Sequence, residues 1–191
     1  MKQARTLTNS ELERVLLVVR EMPHADRNRI ALLLSFYAGM RVKEVASLRI
    51  KDVYEPDGTV KTYILLSPEQ TKGRKSRQIV VSKKLKKALS QYLGSLKQSK
   101  YVPDSPLIPS QKSNRPFSPN SLCQVFARIY KKAGITGATS HSGRRSFITQ
   151  LAHKGISVRV IMSLAGHQNL STTQRYIDVK DALLKSAVEA I

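Results

Sequence analysis

The sequence predicts an α+β fold that is mostly α-helical and carries a small antiparallel sheet of three strands. Apolar residues recur at helical spacing along most of the chain, whereas residues 53–81 contain short β-type runs around an Asp57–Gly58 turn. Hydrophobic residues make up 41% of the 191 positions and charged residues 24%, which is typical of a globular domain with its own core.

Three helices are predicted before the sheet. Thr8 and Glu11 have the spacing of a capping box, so the first helix begins there. A second helix is expected over about residues 26–38 and ends at Gly39, because glycine readily adopts the left-handed conformation of a helix C-cap. A third helix begins near Val42.

The three predicted strands are Val53–Tyr54, Val60–Leu66 and Gln78–Val81. The Asp57–Gly58 turn makes the first two a hairpin. The connection over residues 67–76 is polar and basic, which predicts an exposed loop between the second and third strands.

The rest of the chain is predicted to be helical, apart from one long connection. A helix follows the sheet, and residues 97–120 then contain five of the eight prolines. Helical spacing returns at Pro119 and is broken at Gly134. Further helices are expected over about residues 142–153, 157–165 and 171–178, followed by an apolar-patterned tail.

The net charge points to a polyanionic partner. Thirty-three Lys and Arg against 13 Asp and Glu give a charge of +20, which favours nucleic acid as the partner. A membrane surface is the weaker alternative, because the basic residues are spread along the chain and not gathered on one amphipathic helix. The longest apolar run, Ile30–Met40, is too short to span a bilayer.

Several other classes of protein and site are disfavoured. The N-terminal residues lack the apolar region of a signal peptide, so we expect a cytoplasmic protein. The single Cys123 argues against a disulfide scaffold and a cysteine zinc site. The four histidines lack metal-site spacing, and neither a nucleophile elbow nor a P-loop pattern occurs, so no metal and no cofactor are predicted.

The residues with the clearest chemical pattern lie between positions 140 and 176. His141 and Arg144 are three apart at a predicted helix start, so both can point to one place. Gly166 fits a helix C-cap, which places His167 on a turn. A Ser171/Gln174 capping box would put Tyr176 early in the next helix, and in so basic a chain this set suggests phosphate chemistry.

The sequence resembles the catalytic domain of the tyrosine recombinases (phage-integrase type) from about Leu7 to Val179. Three stretches carry the resemblance: AGMRVKEVASLRIKDV (38–53), TKGRKSRQIVV (71–81) and SHSGRRSFITQLAHKGISVRVIMSLAGHQNLSTTQRYI (140–177). The third is the most specific, because HxxR and GHxxxxTTxxY occur at the family's separation.

The resemblance implies that seven residues form the active site of a strand-transferring enzyme. Their roles would be Arg41 and Arg144 as phosphate-binding arginines, Glu44 as the acidic companion of Arg41, His141 of the HxxR pair as the general base, His167 as a third hydrogen-bond donor, Lys72 as the general acid on the β-loop, and Tyr176 as the nucleophile. The nearby basic residues are predicted to contact DNA: Lys43, Arg74, Lys75, Arg77 and Arg145.

These roles agree with elementary chemistry. Two guanidiniums can hold the non-bridging oxygens of a phosphodiester with paired hydrogen bonds. A phenol keeps its proton at neutral pH and therefore needs an acceptor, while the leaving 5′-oxygen needs a donor. The phosphotyrosine bond conserves the energy of the cleaved strand, so no ATP is required.

The resemblance also implies a domain organisation. We predict that residues 1–191 form a single catalytic domain with a short basic tail (1–7), without the N-terminal core-binding domain of most relatives. The chain is then either an excised domain or a naturally minimal recombinase, like the fimbrial-switch invertases. Gly143 and Arg145 stand where the family often has Leu and His, so local packing around Arg144 differs.

The predicted function is site-specific DNA recombination, in integration, excision or inversion. Double-stranded DNA is the expected partner, with assembly up to a homotetramer on DNA, accessory DNA-bending proteins, and no membrane. A nucleoid-associated protein of prokaryotic, phage or mobile-element origin is expected. Two alternatives stay open: a regulator that uses residues 147–166 as a helix-turn-helix, and a type IB topoisomerase-like relaxing enzyme.

Overall fold

The structure is a computed structural model of the 191-residue chain. It describes the residues in the ranges 4–71, 73–96, 102–111, 115–176 and 188–189. The described helices, in chain order, are α1 (Asn9–Arg20), α2 (Ala25–Ala38), α3 (Val42–Ser47), α4 (Ile50–Val53), α5 (Lys83–Ser95), α6 (Pro119–Lys132), α7 (Ser142–His153), α8 (Val158–Ala165) and α9 (Leu170–Gln174). Two strands, β1 (Tyr63–Leu66) and β2 (Arg77–Val80), lie between α4 and α5.

The ends of the early helices follow from the local sequence. Thr8 and Glu11 form the predicted capping box, with both reciprocal hydrogen bonds present. Helix α2 ends at Gly39, which has a φ of 59° in the left-handed region. The chain therefore turns sharply, and Arg41, two residues later, is the N-cap of α3, which begins at Val42.

Helix α2 is the centre of the core. It packs against α1, α5 and α7, and most of its residues are buried on every side, from Ile30 through Leu34 to Ala38. A second, smaller apolar cluster joins α7 to α8 through Ile148 and Ile161. Because α7 contacts both α2 and α8, it links the main core to the C-terminal helices.

The sheet has two strands among the described residues, and the prediction of three was wrong in this respect. β1 and β2 are antiparallel, with Tyr63 opposite Val80 and Leu66 opposite Arg77. The predicted first strand is reduced to one isolated bridge between Tyr54 and Val60.

Local hydrogen bonds explain the missing strand. The Asp52 carboxylate accepts the backbone N–H of Arg49 at 2.8 Å, which caps a helical turn. The Tyr54 N–H then closes that turn on the Ile50 carbonyl at 3.0 Å. These bonds favour the short helix α4 over extended backbone before Tyr54.

The described part of the proline-rich connection packs on the core. The Leu107 N–H donates to the Leu48 carbonyl at 2.8 Å, and the Ile50 N–H donates to the Ser105 carbonyl at 3.0 Å. Leu107 and Ile108 are fully buried. This segment therefore lies against α3 and α4.

Within the described ranges, no helix is long and apolar enough to cross a membrane.

Candidate active site

Arg41 is held between α3 and the end of α8. As N-cap of α3, its backbone N–H donates to the Glu44 carboxylate at 2.8 Å. Its Nη1 donates to the same carboxylate at 2.9 Å, and its Nη2 makes a longer contact of 3.3 Å with the Gly166 carbonyl. Arg41 is partly exposed, whereas Glu44 is completely buried.

Arg77 is a second partner of Glu44. Its Nη1 donates to Glu44 Oε2 at 2.6 Å, and its Nη2 donates to the Leu164 carbonyl at 2.6 Å. Although burial acts to raise the pKa of Glu44, Arg77 and Arg41 outweigh it and hold that pKa below its usual value. Glu44 is therefore ionised at neutral pH, between two arginines.

Arg144 is buried at the start of α7. Its Nη1 donates to the Gly39 carbonyl at 2.5 Å, and its Nη2 donates to the Ala165 carbonyl at 2.6 Å. These carbonyls lie at the C-terminal ends of α2 and α8, where helix dipoles favour a cation. Burial, together with the charges of Arg41 and Arg77, lowers the pKa of Arg144 to about 9, so the guanidinium is still charged at neutral pH.

Gly143 makes this placement of Arg144 possible. A Cβ at Gly143 would lie 2.8 Å from Ser35 Oγ and 3.3 Å from the Phe36 backbone nitrogen, so α7 and α2 are in close contact there. Gly143 is one of the two positions expected to depart from the usual family residues, and Ser35 of α2 lies directly beneath it.

His167 follows Gly166, which has the left-handed conformation (φ 61°) predicted for a C-cap. Its Nδ1 lies 2.8 Å from the Thr173 hydroxyl, and no other hydrogen bond to its ring is found among the described residues. Burial lowers the pKa of His167 to about 4, and Arg144, Arg41 and Arg77 add to the effect. The imidazole is therefore neutral at pH 7.

Tyr176 lies just after α9. Its ring stacks on that of His167, with centroids 5.8 Å apart and planes inclined by 22°. The guanidinium carbon of Arg145 is 5.4 Å from the Tyr176 ring centroid, within cation–π range. Tyr176 also lines a cavity of about 310 Å³ together with His141 and Arg144.

The local prediction around Tyr176 was wrong in detail. The helix was expected over about residues 171–178 with Ser171 as its cap, but α9 begins at Leu170 and ends at Gln174. Asn169 is the N-cap, with extended backbone, and Ser171 already lies inside the helix. Tyr176 therefore stands in a turn, its N–H bonded to the Thr173 carbonyl at 3.0 Å.

The arginines converge on two consecutive backbone groups. Arg144 binds the carbonyl of Ala165 and Arg41 that of Gly166, immediately before His167. A cavity of about 690 Å³ opens here, lined by Arg41, His167 and the described part of the β-loop, including Lys75. The structure thus brings together Arg41, Glu44, Arg144, His167 and Tyr176, and places His141 beside Arg144 and Tyr176.

The predicted basic residues occupy different settings. Lys72 lies outside the described residues. Arg74 and Lys75 are exposed on the β-loop, and Lys43 donates from Nζ to the Thr71 carbonyl at the base of that loop, at 2.8 Å. Arg77, in contrast, is buried in the network around Glu44.

Two contacts of the site were not anticipated. The first is the Glu44–Arg77 pair. The predicted strand began at Gln78, whereas β2 begins at Arg77. Because side chains alternate along a strand, Arg77 lies on the same inner face as the buried Ile79. The second is the Thr173 hydroxyl on His167, since the GHxxxxTTxxY spacing by itself assigns no partner to Thr173.

Comparison with known proteins decides the family. The model of the phage integrase family matches residues 5–182. The chain belongs to the phage integrase family. This match confirms the resemblance to tyrosine recombinases that the sequence motifs suggested.

Curated relatives of this phage integrase family member include two groups of tyrosine recombinases. Tyrosine recombinase XerA of Pyrococcus horikoshii is 33% identical over 188 residues, which cover 97% of this chain and 60% of XerA. Tyrosine recombinase XerC of Lactobacillus delbrueckii subsp. bulgaricus is 34% identical over 160 residues, 82% of this chain and 52% of XerC. The chain thus spans little more than half the length of these relatives.

Solved structures of recombinases have the same fold as this phage integrase family member. XerH site-specific recombinase, bound to a palindromic difH substrate in a post-cleavage complex, is 26% identical with a TM-score of 0.73, over 96% of this chain and 51% of XerH. XerA recombinase is 24% identical with a TM-score of 0.74, over 100% of this chain and 64% of that one. The expected catalytic-domain fold is confirmed, apart from the strand count.

Proposed function

We propose that this chain cleaves and rejoins DNA strands through a 3′-phosphotyrosyl intermediate, in site-specific integration, excision or inversion. The observation that carries the proposal is the convergence of Arg41 and Arg144 on the consecutive carbonyls that precede His167, with the ring of Tyr176 stacked on that histidine. Cations, a neutral imidazole and a phenol gathered around two cavities that share Thr172 in their lining are suited to a phosphodiester.

Arg41 and Arg144 would bind the non-bridging oxygens of the scissile phosphate. Neutral carbonyls position both guanidiniums, and Arg41 also pairs with the Glu44 carboxylate, which it shares with Arg77. Preorganised cations of this kind stabilise the charge that develops in phosphoryl transfer. The longer, 3.3 Å bond of Arg41 is the one most easily exchanged for a phosphate oxygen.

His167 would donate the third hydrogen bond to the phosphate. If the Thr173 hydroxyl donates to Nδ1, the proton of the neutral ring is on Nε2. Because the pKa of His167 is lowered to about 4, the ring keeps this form at neutral pH. The histidine therefore acts as a neutral donor beside two fixed cations.

Tyr176 would supply the nucleophile. Its phenolic oxygen attacks phosphorus, the bond from phosphorus to the 5′-oxygen breaks, and the DNA is left joined to Tyr176 through its 3′-phosphate. The phenolic proton passes to His141, which lines the same cavity as Tyr176. The 5′-oxygen takes a proton from Lys72, and reversal of these steps rejoins the strand.

Double-stranded DNA is the proposed partner. The charge of +20 and the exposed Arg74 and Lys75 of the β-loop favour binding to phosphates. The similar XerH was solved bound to its difH substrate. We propose assembly of up to four copies on DNA with accessory DNA-bending proteins, and a nucleoid-associated, cytoplasmic location in a prokaryote, phage or mobile element.

We also propose that the chain acts as one catalytic domain, in which the proline-rich connection is an internal loop. The burial of Leu107 and Ile108 and the hydrogen bonds to Leu48 and Ile50 support this organisation. Arg41 and Arg144 lie on opposite sides of this connection in the sequence, yet each contacts the end of α8.

The test uses trapping of a covalent adduct from a pool of nicked duplexes with random sequence around the nick. Release of a short 5′-OH fragment prevents rejoining, so wild-type protein should accumulate an adduct whose recovered DNA reveals the preferred sequence. Tyr176→Phe should give no adduct, with DNA affinity within about twofold, because it removes one hydroxyl and no basic group.

Three other outcomes would contradict the proposal. DNA mapped to Tyr54 or a serine would refute the assignment of Tyr176. Tight binding without any adduct would favour the helix-turn-helix regulator, since α7 and α8 are joined by a turn in which Gly155 has a φ of 73°. A protein that forms the adduct and relaxes supercoiled plasmid, but exchanges no strands between duplexes, would favour a topoisomerase-like enzyme.

A further inference from the structure

Arg77 is more deeply buried than a DNA-contacting residue needs to be. Its side chain is 6% exposed, it is the first residue of β2, and it lines the same cavity as Arg41 and His167. Its Nη1 binds Glu44 and its Nη2 binds the Leu164 carbonyl at the end of α8. The side chain thus joins the sheet, α3 and α8 beneath the site.

Stability alone does not account for this arginine. Burial lowers its pKa, and its Nε is buried without an acceptor among the described residues. Replacement of a buried ion pair by apolar side chains of similar size is often neutral or stabilising, so a buried pair is weak evidence for a purely structural role. We therefore consider how the positive charge of Arg77 affects the residues that it contacts.

The neighbour that matters is Glu44, whose two oxygens are shared. Oε1 accepts from Nη1 of Arg41, while Oε2 accepts from the Arg41 backbone N–H and from Nη1 of Arg77. A carboxylate and a guanidinium readily form a bidentate ion pair, with two parallel hydrogen bonds, when no other cation competes for the carboxylate. Arg77 is the competing cation here, and Arg41 has only one side-chain nitrogen on Glu44.

We propose that Arg77 is a positioning residue that occupies one oxygen of Glu44 and so keeps the Nη2 edge of Arg41 available for the scissile phosphate. This inference rests on the proposed function. Without Arg77, Glu44 would bind Arg41 through both oxygens, and the Arg41 guanidinium would turn away from Gly166 toward α3. Arg77 itself touches no DNA.

The kinetic test compares four proteins by single-turnover adduct formation on the duplex enriched from the random pool, well below each melting temperature. Arg77→Met should slow adduct formation by about tenfold or more, the effect of losing one charge-assisted bond in the transition state. The double variant Arg77→Met/Glu44→Gln should form the adduct at least about threefold faster than Arg77→Met, because the competing carboxylate is gone. Arg77→Lys, which keeps the charge beside Glu44, should stay within about threefold of wild type.

Arg27 provides a matched control. It is also a buried arginine whose pKa is lowered by burial, and it donates to Asn28 and to the Pro109 carbonyl, within the proline-rich connection. Arg27→Met should lower the melting temperature while the single-turnover rate of the folded protein is unchanged. If Arg77→Met behaves in the same way as Arg27→Met, Arg77 is only structural and the inference is wrong.

A second readout does not depend on activity. Crystal structures of wild type and Arg77→Met should differ at Arg41. In Arg77→Met both Nη atoms of Arg41 should contact Glu44, whereas in wild type only Nη1 should do so. If Arg77→Met fails to fold, the Arg77→Met/Glu44→Gln protein, which removes the buried carboxylate, should still show Arg41 at the Gly166 carbonyl.

The two proposals can fail separately. If wild type forms no adduct, strand cleavage is refuted, and the position of Arg41 in the crystal structures still decides the role of Arg77. If Arg77→Met is slow but Glu44→Gln restores nothing and the salt slope of DNA binding falls by about 0.9, Arg77 contacts a phosphate directly and the inference is overturned.

Discussion

At the scale of single residues, His167 shows how the site controls a protonation state. The lowered pKa of about 4 lies below the value of about 6.5 for an unfolded histidine, so between these values the unfolded chain binds more protons. The free energy of unfolding should therefore fall as pH is lowered from about 6.5 to about 4. This loss should be smaller in His167→Gln, which has no titrating ring.

Urea unfolding at pH 7 and pH 4.5 measures this difference. Wild type should lose more stability between the two pH values than His167→Gln, while the contributions of all other groups cancel. Equal losses would show that burial and the cations around His167 do not hold its ring neutral.

The role of Lys72 is best tested with a changed leaving group. Sulfur leaves without protonation, so replacing the bridging 5′-oxygen of the scissile phosphate by sulfur removes the need for a general acid. Lys72→Ala should slow cleavage of the normal substrate by about a hundredfold or more and should cleave the sulfur substrate at nearly the wild-type rate.

Lys75 is the matched control, because it belongs to the same loop and lines the cavity beside Arg41. Lys75→Ala should have similar, small effects on both substrates. If sulfur rescues Lys75→Ala and not Lys72→Ala, Lys75 is the acid and the motif-based assignment is wrong.

At the scale of elements, the contact between α7 and α2 depends on Gly143. An added methyl group would lie 2.8 Å from Ser35 Oγ and close to backbone of α2, so one helix must shift. Gly143→Ala should lower the free energy of unfolding by about 1–3 kcal/mol, the usual cost of overpacking. It should also slow cleavage, because Arg144 is the next residue.

Gly94 near the end of α5 is a matched control, since a Cβ there would meet nothing within 4 Å. Gly94→Ala should stabilise the protein by up to about 1 kcal/mol, through better helix propensity. Chemical denaturation of both variants checks the pair of expectations. Destabilisation by Gly94→Ala, or none by Gly143→Ala, would contradict them.

The sequence predicts elements well where a local signal sets them. Thr8 with Glu11 started α1, and Gly39 and Gly166 ended α2 and α8, because capping bonds and left-handed glycines act over a few residues. Val53–Tyr54 was misassigned because β-type side chains favoured a strand, whereas the cap from Asp52 and the packing of residues 105–107 favour α4.

At the scale of the whole molecule, charge should dominate DNA binding. With a net charge of +20, we expect affinity to be set by released counterions, each neutralised phosphate contributing roughly −0.9 to the slope of log K against log salt. Titrations of a fluorescent duplex at several salt concentrations measure this slope. A slope near zero would refute the expectation, and a slope near −5 would correspond to about five to six contacts.

Residue types and spacings predicted most members of the site, but not their connections. Glu44 could be named from its place beside Arg41, yet its bond to Arg77 spans 33 positions and depends on which face of β2 is turned inward. Likewise, no sequence pattern indicates that Arg144 binds Gly39 across 105 positions. Such contacts follow from tertiary packing, which a single sequence does not report.

The long separations within the site have a consequence during synthesis. Arg41 meets the Gly166 carbonyl across 125 positions, so its final setting cannot exist until the ribosome has made the C-terminal helices. A nascent chain that ends before residue 140 holds Arg41 and Glu44 but lacks Arg144, His167 and Tyr176. Under the proposed function, incomplete translation products would keep basic residues that favour DNA but would carry no Tyr176 with which to break it.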